Sequence, residues 1–167
     1  MRRCFCFVIL FLLVFIGLVS SISIPSNYRD VQSLSFAQSS HRIHIVGNSG
    51  WVNFKDAGNC SGEGTFTNPY IIKDLIIDGG GIEKSISIEN STVFFKIENC
   101  TIYNSGEDYN DKALFLNNIT NGALIDNNLT NNASGIGLIK SFNCTIVGNS
   151  LDDNYPYGIV LVGVMIL

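Results

Sequence analysis

A short apolar phrase recurs along the second half of the chain at nearly constant spacing. Its copies begin at Ala113, Gly135 and Gly158, so the starts lie 22 and then 23 residues apart. An earlier copy begins at Ser85, 28 residues before Ala113, and an insertion over residues 106–111 accounts for the excess. A fixed period in the low twenties predicts a solenoid, in which each repeat is one supersecondary unit stacked on its neighbours.

The pattern inside each repeat favours strands over helices. A second motif, apolar-x-x-polar-polar-apolar, begins at Ile97, Leu124 and Ile146. Apolar residues alternate or pair over very short stretches, and no helical stripe runs for three turns between residues 84 and 156. The stretches are separated by Asn, Gly, Asp and Ser, which tolerate left-handed backbone and hydrogen-bond their own turns. We therefore predict an all-β fold, a right-handed parallel β-helix with about three complete coils.

Stacking the repeats predicts four interior columns of apolar side chains and a polar corner. The columns are Ile86, Leu114, Ile136 and Ile159; Ile88, Leu116, Leu138 and Leu161; Ile97, Leu124 and Ile146; and Ile102, Leu129 and Leu151. Two residues beyond the last column lies a row of Asn104, Asn131 and Asp153, followed by a row of Ser105, Asn132 and Asn154. Side chains stacked at the strand spacing of about 4.8 Å can pass amide hydrogen bonds from coil to coil.

Residues 41–83 precede the repeats and are expected to form an N-terminal cap with the first strands. Residues 41–46 alternate like a strand, residues 47–64 are turn-rich around Trp51 and Phe54, and residues 70–78 predict two strands that end at three glycines. A solenoid needs its first coil covered, since an open end exposes apolar side chains and unpaired strand edges. We interpret Trp51 and Phe54 as cap residues.

Residues 1–23 have the pattern of an export signal. Arg2 and Arg3 precede an apolar run over residues 4–19, and serines follow at a plausible cleavage site. The run is slightly long for a signal peptide and slightly short for a membrane span, so a cleaved signal and a retained N-terminal anchor are both kept as alternatives. The sequence thus predicts a secreted or cell-surface protein that contacts a membrane only through this segment. Residues 24–40, rich in Ser and Gln, are expected to be a linker.

The last repeat, within the coil region 84–167, lacks the Asn-rich corner of the others. It begins at Gly158 and passes into an apolar tail that ends at Leu167. We expect an incomplete final coil. Either the chain is a piece of a longer product, or its open end pairs with another molecule or a second copy.

Composition narrows the class of partner. The chain is 46% hydrophobic and 14% charged, with a formal net charge of −4, which excludes a disordered chain and argues against nucleic-acid binding. Removal of Arg2 and Arg3 with the leader makes the balance more acidic, so a polyanion held by charge is not expected. The length of 167 residues allows one domain.

Three cysteines remain outside the leader, Cys60, Cys100 and Cys144. They allow one disulfide with a leftover thiol, or none. No Cys-x-x-Cys metal spacing is present.

The sequence contains several Asn-x-Ser/Thr triplets that are candidate glycosylation sites in an exported protein. An Asn-rich repeat also produces such triplets by chance. The triplets begin at Asn59, Asn90, Asn99, Asn118, Asn128, Asn132 and Asn143.

The chain resembles a known family over roughly residues 43–161. Three features support this resemblance. They are a Gly-x-Gly-Thr-x-x-x-Pro-Tyr-x-Ile element over residues 62–72, the stretch over residues 75–79, and the Ile/Leu-x-x-Asn-x-Ile/Leu coils. They resemble archaeal exported right-handed parallel β-helix proteins of the NosD-like, carbohydrate-binding and sugar-hydrolase group. The resemblance implies a fold whose members include polysaccharide lyases, hydrolases, adhesins and a copper-reductase assembly protein, and fold alone does not choose among them.

A polysaccharide-cleaving enzyme is one alternative. Glycoside chemistry needs two carboxylates across one bond, and the candidates are Glu98, Asp126, Asp152 and Asp153. The repeat register places no two of them in one outward column, and no arginine follows Arg42. We therefore assign no catalytic residue.

A copper-assembly role is the other alternative. His41 and His44 are the only histidines and lie three apart, which on a strand directs them to opposite faces. Met165 lies in the terminal tail. We assign no metal site and no cofactor.

A structural or binding role at the cell surface is the favoured hypothesis. The outer face of a β-helix can hold extended polymers by hydrogen bonds and aromatic contact. The candidate ligand-binding residues are Lys96, Tyr103, Thr130 and Lys140, and the candidate partners are extracellular glycans or surface proteins.

Overall fold

The structure is a computed structural model that describes residues 39–40 and 42–164. These residues form a parallel β-solenoid of about four turns, built from three parallel sheets. The predicted all-β parallel β-helix is confirmed. The leader, most of the predicted linker, His41 and Met165 lie outside the described residues.

Each coil contributes one strand to each sheet, and strands are numbered in chain order. Sheet I contains β1 (Ser39–Ser40), β4 (Ile76–Asp78), β7 (Thr101–Tyr103), β10 (Asn128–Thr130) and β13 (Ser150–Asp152). Sheet II contains β2 (Ile43–Val46), β5 (Ile86–Ser91), β8 (Lys112–Ile119), β11 (Ser134–Ile139) and β14 (Tyr157–Val162). Sheet III contains β3 (Tyr70–Lys73), β6 (Phe95–Glu98), β9 (Gly122–Ile125) and β12 (Thr145–Val147).

The strand register confirms all four predicted columns. In sheet II, Ile86 pairs with Leu114, Leu114 with Ile136, and Ile136 with Ile159. The other three columns pair in the same way. Residues 43–78 extend the columns by one coil, because β2, β3 and β4 pair in parallel with β5, β6 and β7. The solenoid interior is therefore the apolar core.

Two rows of polar residues turn the corner after sheet I, as predicted. Asn104, Asn131 and Asp153 have φ of 57°, 54° and 52°, the left-handed conformation that Asn and Asp tolerate. The next row points inward and forms the amide ladder, because Oδ1 of Asn132 accepts from the backbone N–H of Ser105 at 3.1 Å and Oδ1 of Asn154 accepts from Asn132. Hydrogen bonds along the stack therefore join successive coils at this corner.

A second ladder, which the sequence did not predict, lies at the corner between sheets III and I. The backbone N–H of Cys100 donates to Oδ1 of Asn127 at 3.0 Å, and the side-chain Nδ2 of Asn127 donates to Oδ1 of Asn149 at 2.9 Å. Both ladders satisfy buried backbone groups that would otherwise lack partners.

The prediction that residues 47–64 are turn-rich is wrong for the first half of this segment. Gly47–Asp56 is an α-helix, α1, which lies between β2 and β3. Trp51 is fully buried and stacks on Tyr70, with 5.2 Å between ring centroids and an interplanar angle of 3°. Its ring also lies 4.9 Å from that of Phe95. The burial of this indole in the apolar core compensates for the weak helix propensity of the Gly- and Asn-containing segment.

The predicted insertion over residues 106–111 is a loop between β7 and β8. Its carbonyl at Tyr109 accepts from Nζ of Lys112 at 3.1 Å and from Oγ of Ser134 at 3.0 Å. The loop is thus held against sheet II without disturbing the register of β8.

The columns become exposed at β14, the last strand that the structure describes. Ile159 and Leu161 are 44% and 51% exposed, whereas their neighbours Ile136 and Leu138 are buried. Pairing of this edge with another molecule stays a prediction. In the part of the chain that the structure describes, no helix has the length and apolar character needed to cross a membrane.

Candidate functional site

An open groove of about 220 Å³ runs along the corner between sheets II and III. Two parallel rows of residues define it. The corner row contains Phe94, Asn121 and Asn143, and the strand row contains Lys96, Ala123 and Thr145. Successive members of a row come from successive coils at about 4.8 Å, so the groove extends along the solenoid axis and suits an extended ligand.

One end of the groove is aromatic. Phe66 is 79% exposed and packs edge-to-face on Phe94, with 5.5 Å between ring centroids and an interplanar angle of 77°. Together with the partly buried Phe94, this ring forms an exposed aromatic surface at one end of the groove.

The loop that carries Phe66 is fixed by backbone contacts. The N–H groups of Glu63 and Thr65 donate to the carbonyl of Asn68 at 2.9 and 3.2 Å, and the N–H of Phe94 donates to the carbonyl of Gly64 at 3.0 Å. Gly64 is buried with a φ of 72°, and a Cβ there would meet the ring of Tyr70. The Phe66 ring is therefore presented by a tight loop whose sequence is part of the Gly-x-Gly-Thr element.

The other end of the groove is lined by amides. Nδ2 of Asn143 donates to Oδ1 of Asn121 at 2.6 Å, and Nδ2 of Asn121 donates to the carbonyl of Thr92 at 2.9 Å. This chain of bonds fixes both side chains. Within the described residues, Oδ1 of Asn143 accepts no hydrogen bond, so it is available to a ligand hydroxyl.

Two small residues, Gly122 and Ala123, lie in the middle of the groove. Gly122 is buried, and a Cβ there would lie 2.7 Å from Cζ of the Phe95 ring. Ala123 beside it adds only a methyl group. The absence of a side chain at Gly122 thus accommodates the Phe95 ring, and the small side chain of Ala123 leaves room between the aromatic end and the amide end.

The four residues predicted to bind ligand do not share one face. Lys96 lines the groove, while Tyr103 and Thr130 are register neighbours on the outer side of sheet I. Lys140 lies at the corner after β11, exposed, with a φ of 47°. The structure therefore brings Tyr103 and Thr130 together and separates them from Lys96 and Lys140.

Sequence reasoning missed Phe66, Phe94, Asn121 and Asn143. Phe66 lies in a loop, and no repeat pattern marks it. The other three occupy equivalent positions in successive coils, two residues before Lys96, Ala123 and Thr145, so aligning the coils on these positions would have found them.

The candidate catalytic carboxylates are dispersed. Asp126 lies in the corner row of Asn99 and Gly148, as predicted, and a Cβ on Gly148 would contact its Oδ1. Asp74 precedes Asn99 in this row, and Nδ2 of Asn99 donates to Oδ1 of Asp74 at 2.8 Å. The Asp126 carboxylate therefore leans toward Gly148, away from Asp74.

The remaining carboxylates belong to other rows. Asp152 is in register with Thr130 on sheet I and accepts from Oγ of Ser150 at 2.6 Å. Asp153 is a corner residue, and Glu98 lies on sheet III beside Lys73. Glu98, Asp126, Asp152 and Asp153 thus lie in separate rows of the described structure.

His44 is exposed on β2, with Nε2 3.5 Å from Oε1 of Glu89. It lies in a second, polar cleft of about 210 Å³ that Arg42, Glu83 and Lys84 also line. Over residues 42–164, no group of three or more His, Cys, Asp or Glu side chains is arranged to hold a metal ion.

The seven sequons differ in how free their side chains are. Asn132 is 4% exposed, and its Nδ2 donates to the carbonyls of Ile102 and Thr130 and to Asn154, so attachment of a sugar would break the ladder. The other six are exposed, and among described residues the Nδ2 groups without a hydrogen bond are those of Asn59, Asn90 and Asn128.

The three cysteines described by the structure are unpaired thiols. Burial raises the pKa of each thiol, that of Cys60 to about 11. Since the thiolate is the reactive form, all three are poor nucleophiles at neutral pH.

The fold places the chain in the class of parallel β-solenoid proteins with a groove along the coil axis. Comparison with protein-family models, with curated proteins and with solved structures finds no match to this chain.

Proposed function

We propose that the chain is a non-catalytic β-solenoid that binds extended glycans outside the cell. The observation that carries this proposal is the exposed Phe66 ring held on Phe94 at one end of an axial groove whose other end is lined by amides. Carbohydrate recognition combines these elements, since an aromatic face packs on the apolar face of a sugar ring while polar groups fix its hydroxyls.

The binding mode follows from the rows. One sugar ring packs on Phe66, and the glycan continues along the axis past Lys96 to Asn121 and Asn143. The groove spans three coil spacings, about 14 Å, which fits a short run of sugars rather than a single one. Side chains fixed by neighbouring hydrogen bonds lose little rotamer freedom on binding, which favours affinity.

Export and surface location are part of the proposal and are supported by the leader pattern of residues 1–23. Membership in the archaeal NosD-like group is supported by the Gly-x-Gly-Thr element, which builds the Phe66 loop, and by the coil motif. The enzymatic alternative depends on paired carboxylates, and among residues 42–164 the candidate carboxylates lie in separate rows. The copper-assembly alternative depends partly on His41 and Met165, which lie outside the described residues.

The test is binding of purified full-length chain to a glycan array, followed by titration of the best ligands. Phe66→Ala should weaken binding about tenfold, since it removes a stacking surface worth roughly 1–1.5 kcal/mol, while leaving stability nearly unchanged at so exposed a position. Tyr155→Ala, which removes an aromatic ring that is also exposed but lies outside the groove, is the matched control. Absence of glycan binding, or equal loss in both variants, would contradict the proposal.

A further inference from the structure

We propose that the groove selects glycans carrying an isolated negative charge, a carboxylate or a sulfate ester, on the sugar beside Lys96. This inference rests on the proposed glycan-binding function. It assigns a specificity to the same groove.

Lys96 is the one charged residue among those that line the groove. The other lining residues are aromatic, amide, hydroxyl or small, and none can neutralise the lysine. They are Phe66, Pro69, Phe94, Phe95, Asn121, Gly122, Ala123, Asn143 and Thr145.

The ammonium of Lys96 has no ion-pair partner among the residues that the structure describes. Its register neighbours are uncharged, Ile71 on one side and Ala123 on the other. The lysine is half-buried on the outer face of β6. A ligand anion would therefore form a charge-assisted hydrogen bond without first displacing a protein carboxylate.

The nearest acidic residue on the same strand face does not line the groove. Glu98 follows Lys96 by two residues and lies in register with Lys73 of β3, outside the groove lining. The anion is accordingly expected on the side of Lys96 that faces Asn121 and Asn143.

The acidity of the whole chain restricts the charge density of the ligand. With a formal net charge of −4, the protein repels a densely charged polymer at long range, whereas a single anion beside Lys96 senses mainly the local cation. The structure therefore favours glycans with spaced charges.

The experiment measures the affinity of the full-length chain for three oligosaccharides of matched length, one neutral, one with a single uronate and one with a single sulfate ester. We expect at least one anionic ligand to bind five- to tenfold more tightly than the neutral one at low salt, with the difference shrinking as salt is added. Lys96→Gln should remove this preference, whereas Lys73→Gln, on the same sheet outside the groove, should keep it. Lys96→Arg should retain the preference, which separates loss of charge from loss of packing.

Comparison of the uronate ligand with the sulfate ligand identifies which anionic group the groove prefers. Preference for the uronate alone assigns a carboxylate, and preference for the sulfate alone assigns an ester. Equal binding of neutral and anionic ligands, or an anion preference that survives Lys96→Gln, would overturn the inference while leaving the proposed function standing. Failure of all three ligands and of every array glycan to bind would overturn the proposed function itself.

Discussion

Oδ1 of Asn154 accepts two hydrogen bonds from Asn132 of the preceding coil, one from the backbone N–H at 3.2 Å and one from Nδ2 at 2.9 Å. The pair is a rung of the ladder that joins the coils at the corner after sheet I. Asn132 in turn accepts from the N–H of Ser105 and donates to the carbonyl of Ile102. One buried side chain thus connects three coils.

Replacing Asn132 should destabilise the fold strongly. Asn132→Ala leaves a buried N–H and buried carbonyls without partners, which costs about 2–4 kcal/mol in the free energy of unfolding. Asn128→Ala, at an exposed position of the same segment, should change it by less than about 0.5 kcal/mol. Urea denaturation followed by circular dichroism measures both, and equal stabilities of the two variants would show that the ladder does not join the coils.

Gly135 and Gly158 are stacked in register, and the absence of a side chain on Gly135 allows the last two coils to pack closely. A Cβ on Gly135 would clash with the backbone carbonyl of Gly158, whereas a Cβ on Gly158 would meet nothing within 4 Å. Gly135→Ala should therefore lower the free energy of unfolding by about 2–3 kcal/mol, and Gly158→Ala should be close to neutral. The comparison uses one substitution at two stacked positions, so reversal of the order of stability would contradict the described register.

The cap depends on the apolar surface of Trp51. Trp51→Ala should cost about 3–5 kcal/mol, because a fully buried side chain between Tyr70 and Phe95 is lost. Trp51→Phe should cost less, since the indole N–H has no hydrogen-bond partner among the described residues and its loss leaves no group unsatisfied. Val52→Ala, exposed on the same helix, is the control in thermal denaturation. A Trp51→Ala variant as stable as this control would refute the cap role.

Cys60 should react slowly with alkylating reagents until the pH is strongly basic. Burial raises the pKa of its thiol to about 11, against an opposing effect of Lys55, so roughly one thiol in a thousand is ionised near pH 8. The iodoacetamide rate, measured by peptide mass spectrometry, should rise steeply toward pH 11 in the folded chain and reach that of an ordinary cysteine when denaturant is added. Fast alkylation of folded protein near pH 8 would contradict the burial.

The raised pKa of the Cys60 thiol also makes the stability of the fold depend on pH. The folded thiol holds its proton to higher pH than the unfolded thiol, so its contribution to stability is complete below about pH 8.5 and is lost as the pH rises toward 11.

The sequence predicted the interior of this protein better than its surface. The four columns follow from the repeat period, since a strand that pairs in parallel with its equivalent in the next coil must place Ile86 above Leu114 and Leu114 above Ile136. The helix α1 was missed because Gly47, Gly50 and two asparagines disfavour a helix locally, and the burial of Trp51 overrides that preference.

The groove was only partly predictable for a related reason. Lys96 was named from its outward position on a strand, but the two rows that define the groove join residues from three coils. Phe66 reaches them through a loop held by the backbone of Gly64 and Asn68, and that placement has no signature in the repeat pattern. Tyr103 and Thr130 were grouped with Lys96 although the coil places them on another sheet.

The most direct test of glycan binding in this groove is an NMR map of backbone amide shifts as the best array ligand is added to the full-length chain. The account predicts that the largest shifts fall on Phe66, Phe94, Asn121 and Asn143, one group from each of four successive coils, and that Phe66→Ala requires about tenfold more ligand to produce them. Shifts centred instead on Tyr103 and Thr130 of sheet I would contradict it.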